Sequence, residues 1–309
     1  MLKYIISLPL RRLAASDEFQ SRQAIKALVQ QAEAMGFHGV TAVDHIVVPR
    51  DFANVIGERW HHPAAFLGFI AGISEKLQLI SDVVVLPYHN PLEVAKAFAS
   101  VDALSEGRLI LGVAPGYLEG EFKALGVPFA ERGPRTDEYI EVIKTLWTED
   151  NPTFEGKYYR FSNVVMEPKP WQKPRPPIWI GGNTHRAVRR AVERADGWVP
   201  YNVTPEELGE GLAHARTLNP RKRLTAAVHP GRIQFTQTPG GLGPTSKGRK
   251  LNLTGTTQQV REVFQRFVDN GAEYFVLGFG GQTLKEYFGQ METFMGHVAS
   301  HLKEQPKAR

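Results

Sequence analysis

The sequence predicts an α/β protein, a closed (β/α)8 TIM barrel in which residues 1–309 form a single domain. Three observations predict it. Eight apolar runs of strand length are each followed by a stretch of helical periodicity. Repeated βα units of this kind call for a parallel sheet with right-handed crossovers. Eight of them within about 250 residues fit a closed barrel better than an open sheet, and no boundary carries a linker long enough to split the chain.

The elements follow in order. YIISLPL (4–10) is the first strand, and SRQAIKALVQQAEAMGF (21–37) is a helix stopped by Gly36. GVTAVDH (39–45) is the second strand, HPAAFLGFIAGISE (62–75) a helix, and KLQLISDVVVLP (76–87) a β-branched third strand. PLEVAKAFASVDALSEG (91–107) opens on proline and ends on glycine, the usual helix asymmetry. RLILGVAPG (108–116) is the fourth strand.

A first insertion follows it. It holds helices at 117–125 and 134–148, then a hairpin and a proline-rich connector across 154–177. IWIGG (178–182) starts the fifth strand–helix unit, with its helix at 184–195. GWVPYN (197–202), a helix near 205–217 and LTAAVHPGRIQF (224–235) make the sixth strand, its helix and the seventh strand. A second insertion, the glycine- and lysine-rich loop 238–255, comes next; long loops of this kind often serve as lids. A helix at 256–270, the strand YFVLGF (274–279) and a helix at 281–302 complete the barrel, leaving 303–309 as a frayed tail.

Composition narrows the function. The formal net charge of +5 is mild and its basic residues are scattered, which suits a small anionic ligand and not nucleic acid. The absence of cysteine excludes disulfides, thiolate nucleophiles and cysteine metal sites. At the N-terminus the basic pair follows the apolar run, the reverse of a signal peptide. No run approaches the ~18 apolar residues of a membrane span. A cytoplasmic protein without membrane or nucleic-acid partners is expected.

Barrel chemistry belongs at the C-terminal ends of the strands. Those ends are rich in polar, aromatic and glycine residues: Leu8-Pro9, Asp44-His45, Leu86 to His89, Ala114 to Tyr117, Gly181 to Thr184, Tyr201-Asn202 and Gly278 to Gly280. The corner Gly181-Gly182-Asn183-Thr184 precedes a helix bearing Arg186, Arg189, Arg190 and Arg194. Two readings stand for it. It is a phosphate cradle at a helix N-terminus, or a tight turn with an ordinary N-cap. The His61-His62 pair keeps a metal-dependent hydrolase as a remote alternative, although adjacent histidines point apart and make a poor ligand pair; no metal is expected.

VDH at the second strand end, AKAFASVDALSEGRLILGV and GGNTHRAVRRAVERADGW, taken in this order, resemble the luciferase-like flavin and deazaflavin oxidoreductases. The coenzyme F-420-dependent subgroup is the nearest branch. The resemblance implies the same barrel. It implies a cofactor, F-420 or FMN, whose phosphate lies on Gly181, Gly182, Asn183 and Thr184. It places Val83 and Val84, near a non-proline cis peptide, behind the cofactor ring. It makes His45 a proton-handling residue beside that ring and gives Asp44 a cofactor-side role. Tyr117 stands where relatives carry a tryptophan or an acid, and becomes a second catalytic candidate. Tyr88, His89, Asn90 and Glu121 are substrate-pocket candidates, Glu121 with a solvated helix face as its alternative. With F-420 the reaction is hydride transfer at the deazaflavin C5 of the cofactor, to or from a small organic substrate; with reduced FMN it is insertion of one oxygen atom. A homodimer is implied, with helices 62–75 and 91–104 as interface candidates.

Overall fold

The computed structural model describes residues 1–10, 19–240, 243–244 and 251–304. Eight parallel strands form a closed ring: Lys3–Ser7, Gly39–Ala42, Gln78–Ser81, Leu109–Ala114, Ile178–Gly181, Gly197–Val199, Thr225–Val228 and Tyr274–Phe279. The first strand pairs with both the second and the eighth, Ile5 lying opposite Gly39 on one side and Val276 on the other, so no edge is left open. The expected (β/α)8 barrel is therefore present.

A single interior cluster explains why the ring closes. Ile5, Ile80, Ile110, Trp179, Val199, Ala227 and Val276 come from seven of the eight strands and pack together, all nearly solvent-free. The second strand contributes Gly39, where a Cβ would lie 3.0 Å from the Ile5 side chain. The alternate residues of each strand face outward. There Ile6, Val40, Leu79, Leu111, Ile180 and Leu277 join the much larger core under the helices.

The helices are α1 (Arg22–Ala34), α2 (Arg50–Ile56), α3 (Pro63–Ala71), α4 (Pro91–Leu104), α5 (Glu119–Ala124), α6 (Arg132–Thr148), α7 (His185–Arg194), α8 (Pro205–Leu218), α9 (Thr257–Asp269) and α10 (Leu284–His297). Local sequence starts them. Ser21, Asn90, Thr184, Thr204, Thr256 and Thr283 each accept a backbone N–H of the first turn, with full capping boxes at Thr204 and Thr256.

Several expectations need adjustment. The third strand, read as continuous over 76–87, stops at Ser81; the Asp82–Val83 peptide bond is cis, and Val84–Val85 resumes pairing with the fourth strand. The run 224–235 also divides. Val228 ends the barrel strand, Pro230-Gly231 turns the chain, and Arg232–Phe235 pairs outside the ring with Leu251–Gly255. The physical reason is that Pro230 cannot donate to the ladder and Gly231 adopts φ of 111°. Helix α2 was not anticipated; it has no buried residue, so it lacks the apolar stripe that reveals a helix. The hairpin in the first insertion is present as Phe154–Glu155 against Arg160–Phe161.

Residues 241–242 and 245–250 of the proposed lid lie outside the described residues, as do 305–309 of the expected tail. Glu304, within that tail, pairs with the N-terminal ammonium at 2.9 Å. No helix among the described residues is long and apolar enough to cross a membrane.

Candidate active site

The ends of the second and third strands are tied into one network. The Glu121 carboxylate, delivered by α5, is fully buried (0% exposed). Its Oε1 accepts the backbone N–H groups of Ile46 (2.6 Å) and Val47 (3.2 Å). Its Oε2 accepts the Tyr88 hydroxyl (3.2 Å) and lies 2.9 Å from His45 Nδ1. Asp44, 2% exposed, accepts the Val85 N–H at 2.9 Å and meets His89 Nε2 at 2.7 Å, both through Oδ2. Two adjacent pairs, Asp44-His45 and Tyr88-His89, are thus cross-linked directly and through Glu121. Burial, and then the neighbouring Glu121 carboxylate, push the Tyr88 phenol well above its ordinary range, so it stays a proton donor.

These groups sit where the barrel is thinly filled. Two residues beyond the interior cluster, the strands place Ser7, Thr41, Gly112, Gly181, Tyr201, His229 and Gly278 on the inward face. Most are small. Val83 leans inward over two of them: a Cβ on Gly112 would lie 3.2 Å from Val83 Cγ1 and 2.1 Å from the Ser81 carbonyl, and one on Gly181 would lie 3.0 Å from Val83 Cγ1. A Cβ on Gly278 would meet nothing within 4 Å. Thr41 Oγ1 and Asp44 Oδ1 are buried with no hydrogen-bond partner among the described residues. Buried oxygens of this kind usually mark a missing partner such as a ligand or water.

The fifth-strand corner is built differently. Gly182 has φ of 128°, which an L side chain rarely adopts, and its N–H reaches the Val199 carbonyl at 3.3 Å. Asn183 bonds the Tyr201 backbone on both sides, Nδ2 to the carbonyl at 2.7 Å and Oδ1 from the N–H at 2.9 Å. Thr184 caps α7 by accepting the Ala187 N–H at 3.2 Å. Residues 183–186 are exposed; the Ala187 amide is taken by Thr184, and the earlier His185 and Arg186 amides have no carbonyl of the helix to bind. Trp198 is buried and donates its indole N–H to the Gly182 carbonyl at 2.7 Å, so it packs in the core and braces the corner.

The cationic helix behind this corner is weaker than its sequence implies. Arg190 is held by Asp137 at 2.5 Å and Arg194 by Glu141 at 3.0 Å, both from α6. Arg186 and Arg189 are exposed and form no ion pair among the described residues.

The structure brings together Asp44, His45, Tyr88, His89 and Glu121. It separates Val83 from Val84: Val83 packs on the barrel interior, while Val84 belongs to the outer core. Asn90 is exposed and occupied in capping α4, accepting the Leu92 N–H at 2.9 Å. Tyr117 is 67% exposed on the rim. Glu121 lies neither in an open pocket nor on a solvated helix face but inside the network. His61 stacks on Phe66 and His62 meets His89 edge-on, so the two rings diverge. No group of three or more potential metal ligands occurs among the described residues.

Two site residues escaped sequence reasoning. His229, 7% exposed, stands at the end of the seventh strand with its ring edge-on to Tyr201 at 4.6 Å. The proline-glycine pair after it was the available sign that a strand ends there. Trp60, whose ring lies 5.0 Å from that of His45, sits in a loop without periodicity to mark it.

A closed parallel barrel with buried acid, histidine and phenol gathered at its strand ends defines a barrel enzyme. A family model described as luciferase-like monooxygenase matches residues 2–231. The chain belongs to that family, and with it to the oxidoreductases. The FMNH(2)-dependent dimethylsulfone monooxygenase of Pseudomonas putida is 34% identical over 176 residues, 56% of this chain but only 47% of that protein's length. The protein of the same name from Pseudomonas fluorescens strain Pf0-1 is 33% identical across 86% of this chain and 84% of its own. The solved structure of coenzyme F420 dependent tetrahydromethanopterin reductase from Methanopyrus kandleri shares the fold, with a TM-score of 0.77, 17% identity, and coverage of 98% of this chain and 99% of that one.

Proposed function

We propose that the protein is a cofactor-dependent oxidoreductase of small organic molecules, with the whole chain as one barrel domain. Reduced FMN is the first choice of cofactor and coenzyme F-420 the second. The observation that carries this reading is the Gly181–Thr184 corner, opening from buried Gly181 to exposed Asn183 and Thr184, at the same barrel end as the buried His45–Glu121 network. The first-turn amides of α7 and the exposed Arg186 suit a phosphate. The thin upper barrel layer, with Val83 on its wall, suits a flat ring, and the unpartnered Asp44 and Thr41 oxygens suit polar groups of a ligand.

When bound, reduced FMN reacts with oxygen to supply the inserted atom, whereas F-420 supplies or receives a hydride. The chain's own residues orient the ring, exclude water and manage a proton at His45. Identity of 33% over most of both chains with an FMNH(2)-dependent enzyme favours FMN, and a sulfone or similar small molecule as substrate. The sequence resemblance to the F-420 subgroup keeps the second reading. A homodimer in the cytoplasm, with small molecules as its other partners, completes the proposal.

The test is anaerobic titration of the purified protein with reduced FMN and with F-420, followed by absorbance and fluorescence. Saturable binding of one, weakened about 100-fold by Gly182→Val, is expected. Binding of neither overturns the proposal.

A further inference from the structure

We infer that Glu121 is a positioning residue that holds neutral His45 in the Nδ1–H tautomer, so that its Nε2 offers a bare lone pair as proton acceptor. For its catalytic meaning this rests on the oxidoreductase reading above; the tautomer itself does not. An ionised carboxylate has about four acceptor positions and no donor. Glu121 uses two for the amides of Ile46 and Val47 and one for the Tyr88 hydroxyl, leaving Oε2 facing His45 Nδ1 at 2.9 Å. A bare Nδ1 there would set one lone pair against another. An Nδ1–H completes the set, and in a neutral imidazole this leaves Nε2 unprotonated. Among the described residues nothing bonds His45 Nε2. The Asp44–His89 pair lies outside this contact, since Asp44 reaches His89 and Val85 but not His45.

The isosteric change Glu121→Gln makes the inference sharp. The Ile46 and Val47 amides are donors, so they hold the glutamine carbonyl oxygen. The amide nitrogen then faces His45 and Tyr88. That nitrogen only donates, so His45 must turn its lone pair toward it and carry its proton on Nε2. One buried atom changes, the shape is kept, and the tautomer reverses.

The experiment is a long-range proton–nitrogen NMR spectrum of protein with labelled histidine, without cofactor, at pH 8. His45→Asn identifies the resonance among the ten histidines. The expected wild-type result is a protonated Nδ1 and a bare Nε2. Tyr88→Phe should keep that pattern, and Glu121→Gln should invert it. A wild-type His45 protonated on Nε2, or on both nitrogens, overturns the inference even if the glutamine variant fails to fold. In turnover, the glutamine variant should lose roughly 100-fold in kcat with KM changed less than about 3-fold, the scale of general acid–base catalysis. An inverted tautomer with unchanged kcat would overturn the catalytic part. Cofactor titration of the same variant separates these outcomes from failure of the proposed function, because binding should stay within about 3-fold of wild type.

Discussion

Two regions of the barrel mouth solve the problem of holding chemistry in opposite ways. At the second and third strand ends, side chains hold one another: Glu121 meets four polar partners and Asp44 two, almost wholly away from solvent. At the fifth strand end, the exposed start of α7 leaves the His185 and Arg186 amides to solvent, and the side chains of Asn183 and Thr184 are spent on the chain's own backbone. A buried carboxylate is costly unless it is hydrogen-bonded; Glu121 is bonded through both oxygens, whereas Asp44 keeps Oδ1 without a partner among the described residues. A helix N-terminus in solvent costs nothing comparable, because water serves its amides until a ligand replaces it. The first region is therefore expected to govern stability and proton placement, and the second to govern binding.

Experiments can break that division. The largest effect should come from Glu121→Ala, which strands the Tyr88 hydroxyl, His45 and two amides. A loss of about 3–5 kcal/mol in urea denaturation is expected, since several buried donors lose their acceptor at about 1–3 kcal/mol each. Gly182→Val should leave much of that stability but weaken cofactor binding about 100-fold, since valine is strained at φ of 128° and crowds Ala187. Equal stability losses in these two variants would erase the contrast.

A smaller effect belongs to Thr184→Ala, about 1 kcal/mol from a lost N-cap, read as a lower midpoint in urea. The sign of the pH response is also set. The folded-state pKa of Tyr88 is raised, so its contribution is complete below its ordinary value, about 10, and is lost as pH climbs beyond it. Tyr4 and Tyr159, each pushed up to about 12 chiefly by burial, act in the same direction. Stability should fall above pH 10 in the wild type and fall less steeply in Tyr88→Phe, measured by urea titrations across pH 9–12. Least of all, Arg186→Gln should weaken cofactor binding only a few-fold, an effect that about 1 M salt removes.

The barrel was readable because its signals are local. Strand-length apolar runs, helical periodicity and the cap at the Gly181–Thr184 corner each lie within a few neighbouring residues. Asp44 and His45 were readable for a related reason: barrel topology fixes where strand ends go. Glu121 was noticed but not placed, because its partners lie 33 and 74 to 76 residues away in the chain. His229 was hidden inside a run read as one strand. The charges of Arg190 and Arg194 were legible, but not their neutralisation by α6.

The sequence by itself determined the alternation of strands and helices, the barrel that follows from it, and the glycine corner, since these depend on side-chain period and backbone freedom along the chain. Only the tertiary structure decided which oxygen meets which nitrogen. It buried Glu121 beneath His45, turned Val83 inward and Val84 outward, and paired two of the four corner-helix arginines. Such contacts depend on segments that meet only when the ring closes, and burial then sets the strength of each hydrogen bond and charge.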